Sequence, residues 1–195
     1  MNITLQGWLH AVGATLNAPA DMAERVLSER FARPTLVQGV IVVAIINLML
    51  LAIVSMLSPP PIEDAVYVTP ITLTILIAGS MFAMAFAIAR AGRMLGGAGD
   101  FDGALTAVIW LQAVGLTIDV AQIFLMLISP TLAVLLGIGA LVALFWCTVN
   151  FVNVLHGFAS LGKATITLII AMIGTIIAVV VMMALLGITP SGDMT

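Results

Sequence analysis

Asp119 is the one charged residue between Asp102 and Lys163. In a helix, Gln112, Gly115, Asp119 and Gln122 recur at offsets of three, four and three, so they share one face. A carboxylate between two amides suits two kinds of chemistry: a path for ions or protons, or hydrogen-bonded glue between helices. A helix over 104–128 carries Asp119 about 22 Å from its first residue at 1.5 Å per residue. The hydrocarbon of a bilayer is roughly 30 Å thick, so this is membrane depth. An ionised carboxylate there costs about 2.5–3.5 kcal/mol on insertion scales and is expected to face protein or water. No Lys or Arg lies at comparable depth to pair with it.

A second group gathers around the loop from Arg90 to Gly103, which holds Gly96, Gly97 and Gly99. Glycines permit backbone conformations that other residues avoid, and Arg90 and Arg93 suit an anionic head group. The loop is not a phosphate loop, because no Gly-Lys-Ser/Thr follows. Asp100-Phe101-Asp102-Gly103 echoes part of a calcium loop without its remaining ligands. Gly97-Ala98-Gly99-Asp100 spells a motif of intramembrane aspartyl proteases, whose two carboxylates must share a proton across a short gap. Here the second carboxylate, Asp119, is about 28 Å away along one helix, which argues against a protease. The plain reading of the loop is a tight glycine turn. Asn150, Asn153 and His156 collect at one end of another apolar run, where they can hydrogen-bond nearby loops or, with Lys163, contact lipid or a partner. With one other histidine, His10, distant in sequence, a metal site is not expected. Cys147 is the single cysteine, so there is no disulfide framework and no Cys-based zinc site.

The elements that must position these residues follow from composition. Of 195 residues, 63% are apolar and 8% charged, against about 25% charged in an ordinary soluble domain. That excludes a soluble enzyme, and the few basic residues exclude nucleic-acid binding. Uncharged stretches of about 20 residues or more are read as membrane spans. Five fit, at about 35–57, 67–89, 104–128, 131–155 and 164–187, the third and fourth divided by Ser129-Pro130. The fold class is therefore all-α, a polytopic five-helix membrane domain over 35–189. Gly139, Ala143 and Cys147, and likewise Ala171 with Thr175 and Gly174 with Ala178, are small residues at four-residue spacing, read as packing faces.

Residues 1–34 carry His10, Asp21, Glu24, Arg25, Glu29, Arg30 and Arg33 and no long apolar run, so no cleaved signal is expected. Asn17-Ala18-Pro19 reads as a helix start, with Asp21 and Glu24 in the first turn. Met22, Ala23, Val26, Leu27 and Phe31 then recur at helical spacing, with a shorter apolar patch upstream at Trp8, Leu9 and Val12. The expectation is an amphipathic helix on the membrane surface, or a docking helix for a protein partner. All six Lys and Arg fall in this segment or in the loops on its side of five spans, and none on the other. The positive-inside rule then puts residues 1–34 in the cytoplasm and the tail, 190–195, outside.

On this frame the chain resembles the bacterial branch of the Yip domain family, five-span membrane proteins related to Rab-interacting Golgi proteins. The resemblance rests on Asn17-Ala18-Pro19, on Gly96-Gly97-Ala98-Gly99-Asp100-Phe101 followed by Ala104-Leu105, on Trp110, and on His156-Gly157-Phe158-Ala159. It implies a helical membrane domain. In eukaryotic members it implies vesicle traffic and membrane shaping through Rab partners that a bacterial chain would lack. The expectation is a non-enzymatic protein of the bacterial plasma (inner) membrane that organises membrane or partner proteins, with no cofactor and no metal. Its partners are then the lipid bilayer and a homo-oligomer or another membrane protein. The alternative is a small oligomeric transporter or channel using the Gln112–Asp119–Gln122 stripe.

Overall fold

The computed structural model describes residues 4–58 and 69–188. The expected loop over 58–66, the start of the second span at 67 and the tail at 190–195 lie mostly or wholly outside these residues. Among the described residues the chain is all helical: α1 (Leu5–Asn17), α2 (Pro19–Ser28), α3 (Arg33–Leu57), α4 (Pro70–Met94), α5 (Phe101–Ile128), α6 (Pro130–His156) and α7 (Leu161–Leu185). The last five are long and apolar enough to cross a membrane. Their starts are set by local chemistry. Pro70 and Pro130 take the first helical position, where a missing N–H costs nothing. Before them the Thr69 and Ser129 hydroxyls accept from the Thr72 and Leu132 N–H groups. Asp100 caps α5 by accepting from the Gly103 N–H at 2.8 Å.

The five long helices run alternately up and down, and α3, α4 and α5 pack in sequence, with α6 against α5 and α7 against both α4 and α6. The starts of α3, α5 and α7 and the ends of α4 and α6 therefore meet at one end, which holds Arg33, Arg90, Arg93 and Lys163. Tight packing is confined to that basic half. Leu36 to Ala44 on α3, Met81 to Gly92 on α4, Ala104 to Leu116 on α5, Cys147 to His156 on α6 and Ala164 to Ala171 on α7 contain nearly all the buried residues of the long helices. Many of these are alanines, such as Ala44, Ala85, Ala104, Ala164 and Ala171, which let backbones approach closely. Beyond this zone the helices expose aliphatic side chains such as Ile53, Ile138, Leu141, Ile176 and Val180, suited to lipid tails.

The N-terminal segment is two helices, not one. Chain direction breaks at Ala18, and Pro19 opens α2. The apolar face of α2 (Met22, Ala23, Val26) is covered by Ala107 of α5 and Phe151 of α6. Phe31, expected on that face, lies beyond the end of α2 and is exposed. The upstream patch is also a packed helix. The Trp8 indole donates to the Thr117 hydroxyl at 2.9 Å and the Trp110 indole to the Thr15 hydroxyl at 3.1 Å, while the two indoles meet edge to face at 5.5 Å. The Cys147 thiol donates to the Thr15 carbonyl at 3.3 Å, so the lone cysteine helps to hold α1. Gly139, read as part of the same packing face, has nothing near it, whereas Cys147 is fully buried.

Thr15 thus joins α1 to both α5 and α6. Thr15→Val keeps the volume but strands the Trp110 N–H, and is expected to cost about 1 kcal/mol. This should read out as a lower unfolding midpoint in mixed detergent, followed by tryptophan fluorescence. An unchanged midpoint would mean that α1 is not held there.

Candidate functional site

The basic end is organised around one side chain. Helix α6 closes at Gly157, whose φ of 63° no L side chain adopts readily. Its N–H reaches the Val154 carbonyl at 3.1 Å and the Phe158 N–H reaches Asn153 at 3.0 Å, a pairing that satisfies the last carbonyls. This turn leaves His156 only 2% exposed, pressed onto the end of α4. The His156 Nε2 lies 3.1 Å from the Ile88 carbonyl. A carbonyl only accepts, so the network assigns the proton to Nε2 and leaves Nδ1 bare. That Nδ1 is buried with no protein partner among the described residues. Phe158 meets the ring edge to face at 5.2 Å, and the Ala98 N–H donates to the His156 carbonyl at 3.1 Å.

The loop glycines serve this contact for two separate reasons. Gly96 ends α4 with φ of 85°, its N–H on Arg93 and that of Gly97 on Gly92. Gly92, Gly97 and Gly99 do not have positive φ; they are needed for space. A Cβ on Gly97 would stand 2.6 Å from the His156 Cβ, and one on Gly92 or Gly99 would collide with the imidazole itself. The loop is a turn, as its composition suggests, and it is also a seat for a histidine two helices away. Sequence reasoning singled out Gly96, Gly97, Gly99 and His156, and Phe158 as part of a short motif, but missed Gly92 and Ile88 and did not connect the loop with His156.

The other residues of the basic end stand around this seat rather than in it. Asn150 turns its amide N–H back to the Trp146 carbonyl at 2.9 Å, and the Asn153 side-chain oxygen Oδ1 is buried without a protein partner among the described residues. Arg90, Arg93 and Lys163 are exposed. The Arg90 guanidinium lies 6.0 Å from the Phe86 ring centre, and Arg93 Nε donates to the Ala89 carbonyl. Arg30 and Arg33 reach Asp100 at 3.4 Å and Asp102 at 3.3 Å. These pairs are largely solvated, so they orient the link between α2 and α3 more than they stabilise it.

The polar stripe of α5 lies apart from this end and is divided between two clefts. Gln112 and Gly115 line one of about 180 Å³, with Met84 and Ile88 of α4 and Leu144 and Thr148 of α6. Asp119 and Gln122 line the next, about 350 Å³, with Asn47 of α3 and Ala133 of α6. The second opens because α3 and α6 do not meet, so α5 forms its floor. With α5 beginning at Phe101, Asp119 sits roughly 27 Å along it. Its side chain is exposed to the cleft. The Gln122 amide lies over Gly137, where a Cβ would be 2.8 Å from its nitrogen. Among the described residues, no group of three or more His, Cys, Asp or Glu side chains is placed to hold a metal ion.

A family model described as the Yip1 domain matches residues 14–183. The match begins inside α1 and takes in the His156 seat, both clefts and the five long helices. Neither a curated protein nor a solved structure matches the chain.

The two glycine roles are separable by thermal unfolding in detergent. Gly92→Ala is expected to cost about 1–3 kcal/mol through overpacking against the imidazole. Most of that loss should vanish in a His156→Ala background, a coupling of about 0.5–3 kcal/mol. Gly96→Ala, strained by its positive φ, should cost the same in either background. Equal penalties for Gly92→Ala with and without the imidazole would refute the seat.

Proposed function

Because the chain belongs to the Yip1 domain family and is an integral membrane protein with five long apolar helices, we propose that it is a non-enzymatic organiser of membrane or partner proteins, acting through its basic end. The observation that carries this reading is the coincidence of charge and rigidity. The four Lys and Arg of the long helices crown the half of the bundle where packing is tight, and Arg25 and Arg30 belong to the segment docked beside it. By the positive-inside rule this end lies in the cytoplasm of a bacterium, beneath the plasma (inner) membrane, and the C-terminal tail outside. Arg90, Arg93 and Lys163 project there from a scaffold fixed by His156, at the level of lipid head groups. A fixed array of cations presents the same face to anionic lipid or to an acidic partner at every encounter.

A second reading is supported by the cleft that Asp119 shares with Gln122 and Asn47: a small oligomeric transporter or channel working through that stripe. An intramembrane carboxylate in an open cleft is the usual mark of an ion or proton route.

Reconstitution separates the two. Arg90→Gln, Arg93→Gln and Lys163→Gln together are expected to lose roughly 3 kcal/mol of attraction to anionic vesicles, about 1 kcal/mol per cation. The same variant should lose any partner that copurifies with the parent. Proteoliposomes of the parent should show no more ion or proton flux than empty liposomes. Flux that disappears in a folded Asp119→Asn variant would overturn the organiser reading in favour of the transporter.

A further inference from the structure

Helix α1 runs along α5 in a fixed register. Trp8 meets Thr117 and Thr15 meets Trp110, seven residues apart on each helix and in opposite order, so the two are antiparallel. His10 is then level with Gly115, fourteen residues from the start of α5, roughly 21 Å along its axis. The 28 residues of α5 measure about 42 Å. Centred on a hydrocarbon layer of roughly 30 Å, α5 protrudes about 6 Å at each end, and His10 falls at the middle of the layer. A helix on the membrane surface would not reach this depth. The face α1 turns to the bundle is Ala11, Val12 and Thr15, all buried, with Trp8. The face it turns away carries Gln6, His10, Gly13 and Asn17, at offsets of four, three and four. Asn17 returns its amide N–H to the Gly13 carbonyl at 2.8 Å, while Gln6 and His10 are exposed.

We propose that α1 is a half-span inserted beside α5 and α6, and that its outward stripe of Gln6, His10, Gly13 and Asn17 is the surface through which two copies of the chain pair. Amides and imidazoles facing lipid tails are costly unless they find hydrogen-bond partners. This stripe is self-complementary, because a glutamine and a neutral histidine each both donate and accept. A two-fold axis through Gly13 would set the same residues against one another. Gly13 suits the crossing point, since a small residue lets two helices approach closely and, among the described residues, no atom occupies the space beside it. An acidic or basic partner has no matching charge on this face, which favours a second copy. This pairing goes beyond the role of the basic end and does not depend on it.

The test uses the full chain in vesicles, with the buried Cys147 as an internal control. Single replacements Gln6→Cys, His10→Cys and Gly13→Cys should give disulfide-linked dimers with a membrane-permeant oxidant. Leu5→Cys, exposed at 75% but off the stripe, and the parent should not. A membrane-impermeant maleimide should label His10→Cys only after the bilayer is dissolved. Gly13→Leu should leave the unfolding midpoint unchanged while halving the protein mass found by light scattering in mild detergent. Labelling of His10→Cys in intact vesicles from either side would show that α1 is wet and overturn the insertion. Dimers equally abundant from Leu5→Cys, none from the stripe, or an unshifted mass for Gly13→Leu would overturn the pairing.

Discussion

Helices in a bilayer gain nothing from hiding apolar side chains, because lipid tails are as apolar as leucine. Whatever holds this bundle together must be better than lipid contact, and the structure meets that demand at one end. There Ala44, Ala85, Ala104, Ala164 and Ala171 of α3, α4, α5 and α7 are fully buried, and the His156 ring rests directly on the backbone of α4 and its following loop. Close backbone approach gives dispersion contacts that a lipid chain cannot match. The helix endings at Gly96 and Gly157 make the approach possible, since each stops its helix on a positive φ and satisfies its last carbonyls. The tight half depends on these two turns and the imidazole between them.

Once that end is fixed, the opposite half can be loose. Beyond Leu116 of α5 no residue of that helix is buried, and the same is true of α7 beyond Ala171. The cleft holding Asp119 and Gln122 lies in this half, floored by α5 and flanked by helices that do not touch. A cleft between well-packed helices would be rigid. One between splayed helices can change width at little cost, because few contacts must be broken. The molecule thus separates a stiff charged end from a compliant apolar one.

Much of this was legible in the sequence, for a physical reason. Charge is so costly inside hydrocarbon that its absence marks apolar stretches, and five helices long and apolar enough to cross a membrane are found, with α4 beginning at Pro70 rather than 67 and α7 ending at Leu185 rather than 187. The contacts that lock them were not legible. Gly92, Gly97 and Gly99 look like generic turn glycines, and nothing in their spacing shows that the space they leave belongs to a side chain some 60 residues later. Trp8 reads as part of a minor apolar patch and Thr15 carries no signal at all, because their partners, Thr117 and Trp110, lie about 100 residues away. The Gln112–Asp119–Gln122 stripe was visible as a face. That it is divided between two clefts depends on α4 closing one side of α5 and α3 standing apart from α6 on the other, which periodicity does not encode.

The uneven burial has a consequence for how the chain stores its structural information. In the loose half, one aliphatic residue is nearly as good as another, since each need only be apolar and helical; such positions specify membership in a membrane but no particular neighbour. In the tight half, a residue is specified by the atoms opposite it, so that a glycine, an alanine or a histidine has no substitute of another size. The instructions for assembling five long helices are therefore written largely in about half of their length, and in short words such as Gly96-Gly97 and His156-Gly157-Phe158, while the remainder is solvent-matching text.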